Sequence, residues 1–204
     1  MSLDVVRVER LLAESEIRAV CLRYCRGIDR RQLEIIRDCY HPDATDEHGD
    51  FVGGVEAFIA HCEASLQRFV STSHFVGNIL IDVDNAGLRA RCESYVVASH
   101  RLPPRGDRPA RDHVVGLRYV DDFEQRGGAW KIANRVCVFD WTRTDPVAPG
   151  WDFTDVFRLG RVDGADLVFA PSLAVEIDRR RTTCLPVATP ATPQLAPPPI
   201  GDPR

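Results

Sequence analysis

The chain of 204 residues carries a formal net charge of −4 and is long enough for one well-buried domain with an appendage. Its mildly acidic balance, with no basic stripe interleaved with aromatics, argues against a nucleic-acid partner, although 26 side chains are cationic, all but Lys131 of them arginine. No run of 18 apolar residues occurs and the opening MSLDVVRVERLL is too charged for a secretory leader, so a cytoplasmic protein without membrane association is expected.

The first predicted element is an amphipathic helix. Ile17, Val20, Cys21, Tyr24, Cys25 and Ile28 fall at i, i+3, i+4, i+7, i+8 and i+11, one face of a helix. Asp29 lies four residues beyond Cys25, on the flank of that stripe. A carboxylate near a helix C-terminus opposes the macrodipole, so Asp29 needs a reason to be there. Arg30 and Arg31 could offset it, and a cap on the turn after Gly27 is the plain reading.

A second short helix is predicted over Gln32 to Tyr40, stopped by His41-Pro42, because a proline disfavours helical geometry in the residue before it. DATDEHGDFVGG reads as a short strand or hairpin with glycine turns. Val55 to Phe69, apolar at 55, 58, 59, 62 and 66, is a third helix. From Ser71 the pattern turns to strands: HFVGNILIDVDNAG, LRARCESYVVASHR, HVVGLRYVDDFEQR and AWKIANRVCVFDWTR, joined by DNAG, a proline- and arginine-rich loop and Gly127-Gly128. Helices first and strands later indicate α+β, with the helices on one face of a curved antiparallel sheet. The domain is expected to span 1–144, with an extension over 145–185 folding back on it and a proline-rich, disordered tail over 186–204.

Cys21, Cys25, Cys39, Cys62, Cys92, Cys137 and Cys184 are odd in number and form no CxxC pair. They suit small buried hydrophobes in a reducing compartment better than a disulfide framework. The segment HPDATDEH gathers His41, Asp43, Asp46 and His48, but the spacing fits no closed zinc pattern, and no metal is expected.

GIDRRQ at the end of the first helix, STSHFVGN opening the sheet and GGAWKIANR near its end resemble the SnoaL-like branch of the NTF2-like superfamily, over roughly 11–144. The resemblance implies an NTF2-like cone, three N-terminal helices on a curved antiparallel sheet. Its nearest motif matches are lyases, among them scytalone dehydratase, bile-acid 7α-dehydratase and hexachlorocyclohexane dehydrochlorinase. In these an aspartate after the first helix pairs with a histidine on the first long strand, which implies Asp29 and His74. Tyr24 and Arg135 match further catalytic positions, and His113 matches a second histidine. Trp141 and Tyr95 are placed with His113 as substrate-binding residues. Such lyases associate through their sheets, which implies a homo-oligomer, a trimer or a dimer. Val96, Val115 and Leu117 are the residues expected to need cover from another copy.

The chemistry is coherent by itself. An imidazole with an unperturbed pKa of about 6.5 is a ready general base, and an aspartate accepting its Nδ1–H fixes the tautomer and balances the imidazolium. Tyr24 and Arg135 could donate to a substrate oxygen that gains charge. Plainer readings exist: His74 as a core histidine, Tyr24 as packing, and Arg135 in a surface ion pair with a strand neighbour such as Asp121 or Asp122. The leading expectation is a cofactor-independent lyase, a dehydratase acting on a hydrophobic cyclic small molecule. An isomerase or polyketide cyclase using the same pocket, or a non-catalytic binder, are the alternatives.

Overall fold

The computed structural model describes residues 4–147 and 158–174. Helix α1 (Val5–Asp29) opens on Asp4, whose carboxylate accepts the Arg7 backbone N–H and so satisfies a donor that the first turn leaves free. The stripe from Ile17 to Ile28 is buried as its spacing requires. Helix α2 (Leu33–Asp38) crosses α1 closely: a Cβ on Gly27 would stand 2.8 Å from Cγ1 of Ile36.

The second helix ends earlier than its sequence suggests. Tyr40 already belongs to strand β1 (Tyr40–His48), so His41 and Pro42 are strand residues rather than a break after a helix. Proline has no N–H for a ladder, and Pro42 falls within the irregular stretch of β1 pairing between Tyr40 and Thr45. A turn at Gly49 leads to β2 (Phe51–Gly54) and directly into α3 (Val55–Leu66). The remaining strands are β3 (Ser71–Val83), β4 (Arg89–Leu102), β5 (Arg111–Arg126) and β6 (Ala129–Pro146).

The six strands form one curved, open sheet in the order β2-β1-β6-β5-β4-β3. β3 to β6 are the expected antiparallel meander, but β1 pairs with β6 in parallel, so the sheet is mixed. A hairpin forces antiparallel pairing, whereas β1 and β6 are separated by α3 and four strands, and no turn dictates their direction. Helix α1 lies against β3 and β6, and α3 against β1 and β2. Val96, Val115 and Leu117 face this helical layer and are buried within the single chain, which corrects the expectation that they need another subunit. Among the large apolar side chains exposed on the opposite face, Phe75, Val97 and Trp141 fall in one lateral row.

Two bulges decide which side chains face inward. β3 shifts register between Val76 and Ile79, so Thr72, His74 and Val76 share the inner face with Ile79 and Ile81 despite the change of parity. β6 shifts where Leu117 pairs with Phe139 and Gly116 with Trp141, leaving Asp140 as the extra residue.

The six described cysteines are free and buried. Beyond the sheet, Asp166 accepts the N–H groups of Arg161 and Val168 and pairs with Arg30 at 3.2 Å. Residues 170–174 fall in a second unit. The expected proline-rich tail, Trp151 and Cys184 lie outside the described residues. No described helix is long and apolar enough to cross a membrane.

Candidate active site

Backbone bonds alone close the last turn of α1. The Gln32 N–H reaches the Gly27 carbonyl at 2.8 Å and the Arg31 N–H that of Ile28 at 3.2 Å, the paired bonds of a Schellman motif. Arg31 takes the left-handed conformation, φ 51°, where glycine is usual. Its guanidinium donates to the Phe69 carbonyl at 2.6 Å, tying the turn to the segment that enters β3. Asp29 is thereby fixed in the final turn, facing the start of that strand.

Three donors converge on the Asp29 carboxylate. Thr72 Oγ1 donates to Oδ1 at 2.9 Å, the His74 backbone N–H to Oδ2 at 2.9 Å, and His74 Nδ1 to Oδ1 at 2.7 Å. Burial pushes the Asp29 carboxyl up, but the bonds from His74, its charge and the Thr72 hydroxyl outweigh this and hold it below the usual carboxylate range. An ionised carboxylate can only accept, so Nδ1 carries the proton and Nε2 is the basic nitrogen. The competing cap-and-arginine reading of Asp29 does not describe this geometry: Arg30 donates to the Asp29 carbonyl and pairs with Asp166 instead.

His74 and Tyr24 line a cavity of about 360 Å³ enclosed by α1, α3 and the inner face of the sheet. Its walls are largely apolar, with Ile28, Phe58, Leu66, Val115, Leu117 and Phe139 among them. Two further histidines stand beside His74. The His100 ring meets it edge-on, centroids 5.6 Å apart, and donates from Nδ1 to the His113 carbonyl at 3.3 Å. Burial, together with the neighbouring His74 charge, pushes the His100 imidazole down to about 4, so it is neutral at ordinary pH. His113 also lines the cavity, its Nδ1 2.8 Å from Thr144 Oγ1. Tyr119 also lines the cavity, and its buried hydroxyl has no hydrogen-bond partner.

The other residues named from sequence lie elsewhere. Arg135 is fully buried behind the cavity wall, paired through Nε and Nη2 with both oxygens of Asp121 at 2.7 Å. Its guanidinium is sandwiched between the rings of Tyr24 and Tyr119, 4.1 and 4.2 Å from their centroids. Arg135 thus braces two cavity residues and is not among the residues that line the cavity; its partner is the strand neighbour Asp121, but the pair is buried and not at the surface as the ion-pair reading had it. Tyr95 and Trp141 are on the outer face of the sheet. Tyr95 packs on Arg118, and Trp141 covers Gly116 so closely that a Cβ there would lie 2.1 Å from its ring. Neither lines the cavity.

Sequence reasoning missed His100 and Tyr119, and named His48 only within the HPDATDEH cluster, not as a cavity residue. His100 was within reach, since it shares the period-two face of Cys92, Val96 and Ala98. His48 and Tyr119 gave no such signal, because their place depends on the β1–β6–β5 pairing. Among the described residues, the one group with metal-ligand chemistry is Asp46, His48 and Cys137.

An open curved sheet backed by helices over an apolar cavity is the NTF2-like form of the α+β class. A profile of the SnoaL-like domain matches residues 9–136, and the chain belongs to that family. An uncharacterized protein of Mycobacterium tuberculosis is 25% identical over 139 residues, 65% of this chain and 89% of the relative. A candidate scytalone dehydratase from Novosphingobium aromaticivorans superposes with a TM-score of 0.60 at 23% identity, over 71% of this chain and 99% of that one. A hexachlorocyclohexane dehydrochlorinase of Novosphingobium barchaimii gives 0.61 at 17%, over 71% and 99%. These likenesses establish the fold.

Proposed function

We propose that the protein is a cofactor-independent lyase, a dehydratase that removes water from a hydrophobic cyclic hydroxy-ketone-like molecule. The observation that carries this reading is the 2.7 Å contact between His74 Nδ1 and Asp29 Oδ1 at the wall of an apolar cavity. His74 Nε2 takes a proton from the carbon next to an activating carbonyl, and Asp29 stabilises the imidazolium so formed. The electron pair of the C–H bond forms the new double bond as hydroxide leaves the adjacent carbon and takes the abstracted proton from the His74 imidazolium, departing as water and restoring the neutral ring. Tyr24, on the cavity wall, is the hydroxyl donor for a substrate oxygen, and the low dielectric of the cavity strengthens such a bond. Neutral His100 lets the charge on His74 develop without a second cation beside it. The names of the structural neighbours, a dehydratase and a dehydrochlorinase, point to the same class of elimination.

The test is a panel of cyclic β-hydroxy-ketones incubated with purified protein, followed by conjugated-enone absorbance and by mass. Loss of 18 mass units (the mass of water) with the wild type and not with His74→Ala supports the proposal. A product of unchanged mass would make the protein an isomerase or cyclase, and binding without turnover of any compound would make it a carrier.

A further inference from the structure

We propose that Asp46, His48 and Cys137 bind one zinc-class divalent cation where β1 and β6 pair, next to the cavity wall at His48. This does not depend on the lyase reading, because cation binding is measured without substrate.

The site exists because β1 and β6 run parallel. Glu47 pairs with Val136, which brings His48 beside Cys137, with Nδ1 3.1 Å from the sulfur. Asp46, two residues earlier and on the same face as His48, has Oδ1 3.4 Å from that Nδ1. All three ligand atoms lie within 4.8 Å of one another. Tetrahedral zinc has bonds of about 2.0–2.1 Å to nitrogen and oxygen and about 2.3 Å to sulfur, which puts neighbouring ligand atoms roughly 3.3–3.6 Å apart. Both separations are close to that spacing. Thiolate, imidazole and carboxylate together suit zinc, whereas magnesium and calcium favour all-oxygen sets.

A second observation points the same way. Asp46 is 1% exposed, and its Oδ2 accepts the Tyr40 hydroxyl at 2.6 Å while its Oδ1 has no hydrogen-bond partner. His48 Nδ1 is within ion-pair range of that oxygen but closer to the sulfur, and one ring nitrogen cannot serve both with a single proton. Burying a carboxylate oxygen without a donor is costly, and a cation between the three groups removes that cost. The charges close: a dication with one carboxylate, one thiolate and a neutral imidazole is a neutral set, and nearby Arg135 is already balanced by Asp121. Tyr40, itself contacted by Arg135 Nη1 at 3.4 Å, supplies the outer hydrogen bond that orients the carboxylate. Three protein ligands leave a fourth position for water or a ligand oxygen, and His48 lines the cavity.

The linear cluster HPDATDEH concealed this arrangement. His41 turns away to the Glu124 carbonyl at 2.9 Å and Asp43 pairs with Arg126 at 2.6 Å, while the third ligand comes from 89 residues downstream of His48.

Chelator-treated full-length protein is titrated with Co²⁺ by absorbance, then with Zn²⁺ in competition. One equivalent should bind with a near-ultraviolet thiolate-to-cobalt band that Zn²⁺ abolishes and Mg²⁺ does not. Cys137→Ala should lose the band, and His48→Gln should weaken Zn²⁺ binding by about 10–100-fold or more. A wild type without the thiolate band, or Zn²⁺ affinity unchanged in His48→Gln, overturns the proposal. His48 is on the cavity wall rather than in the sealed core, so that variant decides the matter even if Cys137→Ala does not fold.

Discussion

Two charge pairs, one at the cavity wall and one behind it, make the most instructive comparison in the molecule. Asp29–His74 and Asp121–Arg135 each join a carboxylate to a nitrogen base at 2.7 Å. The Arg135 pair is completely sealed, both side chains 0% exposed, and is roofed by two tyrosine rings. The His74 pair keeps a small opening, 6% and 14%, and His74 is part of the cavity wall. A sealed pair cannot exchange a proton with a ligand; it can hold the rings around it in place. A pair at a cavity wall can do both. The sequence supplied the right residue types for both, and access alone separates the sealed pair from the one that borders the cavity.

The sharpest way to break this comparison is Arg135→Ala, which leaves Asp121 as an unpaired buried carboxylate. It should cost about 3–5 kcal/mol in urea unfolding. Replacing both partners by apolar residues, Asp121→Leu with Arg135→Met, should recover much of that loss. If Arg135→Ala instead keeps its stability and loses turnover, Arg135 is in contact with the reaction after all.

His74→Ala should do the reverse, lowering the elimination rate by about 10²–10⁴-fold with little change in melting temperature. Asp29→Asn should approach the same rate loss, and the double variant should be scarcely worse than either single one, as for residues sharing one role. Additive losses would mean that the two side chains act separately.

Acidity probes the open side of the comparison. His100 has its folded-state imidazole lowered from 6.5 to about 4, mainly by burial. The folded state therefore disfavours its protonation, and stability is lost as pH falls from about 6.5 towards 4, then no further on this account. Asp29, held below its ordinary 3.8, adds a loss at still lower pH as it is protonated. Thermal melts of wild type and His100→Gln across this range should show a shallower decline in the variant. Parallel curves would remove His100 as the acid-sensitive group.

The outer face offers the smaller effects. Phe75, Val97 and Trp141 form an exposed apolar row there, and a homo-oligomer associating through it is expected. Light scattering should give a mass above one chain for the wild type and a lower one for Phe75→Ser; a monomeric wild type would end this expectation. Tyr95→Ala should change turnover by less than about 0.5 kcal/mol, because its ring packs on Arg118 away from the cavity. A tenfold fall would bring the outer face into the reaction.

Much of this was legible in the chain. The stripe from Ile17 to Ile28, the turn at Gly127-Gly128 and the four long strands are local patterns, each read within one element, while Asp29 and His74 were paired through the resemblance of their segments to a family. What tertiary structure decided is the relation between elements. Alternation separates Val96 from Tyr95, but only the position of the helices tells which of them faces inward. The extra residue at Asp140 turns Trp141 to the outer face, where strict alternation from Phe139 would have sent it into the cavity. The parallel β1–β6 pairing brings Cys137 to His48 across 89 residues, and the packing of Tyr24 and Tyr119 seals Arg135. Periodicity fixes two faces for each element; burial selects between them only when the elements meet.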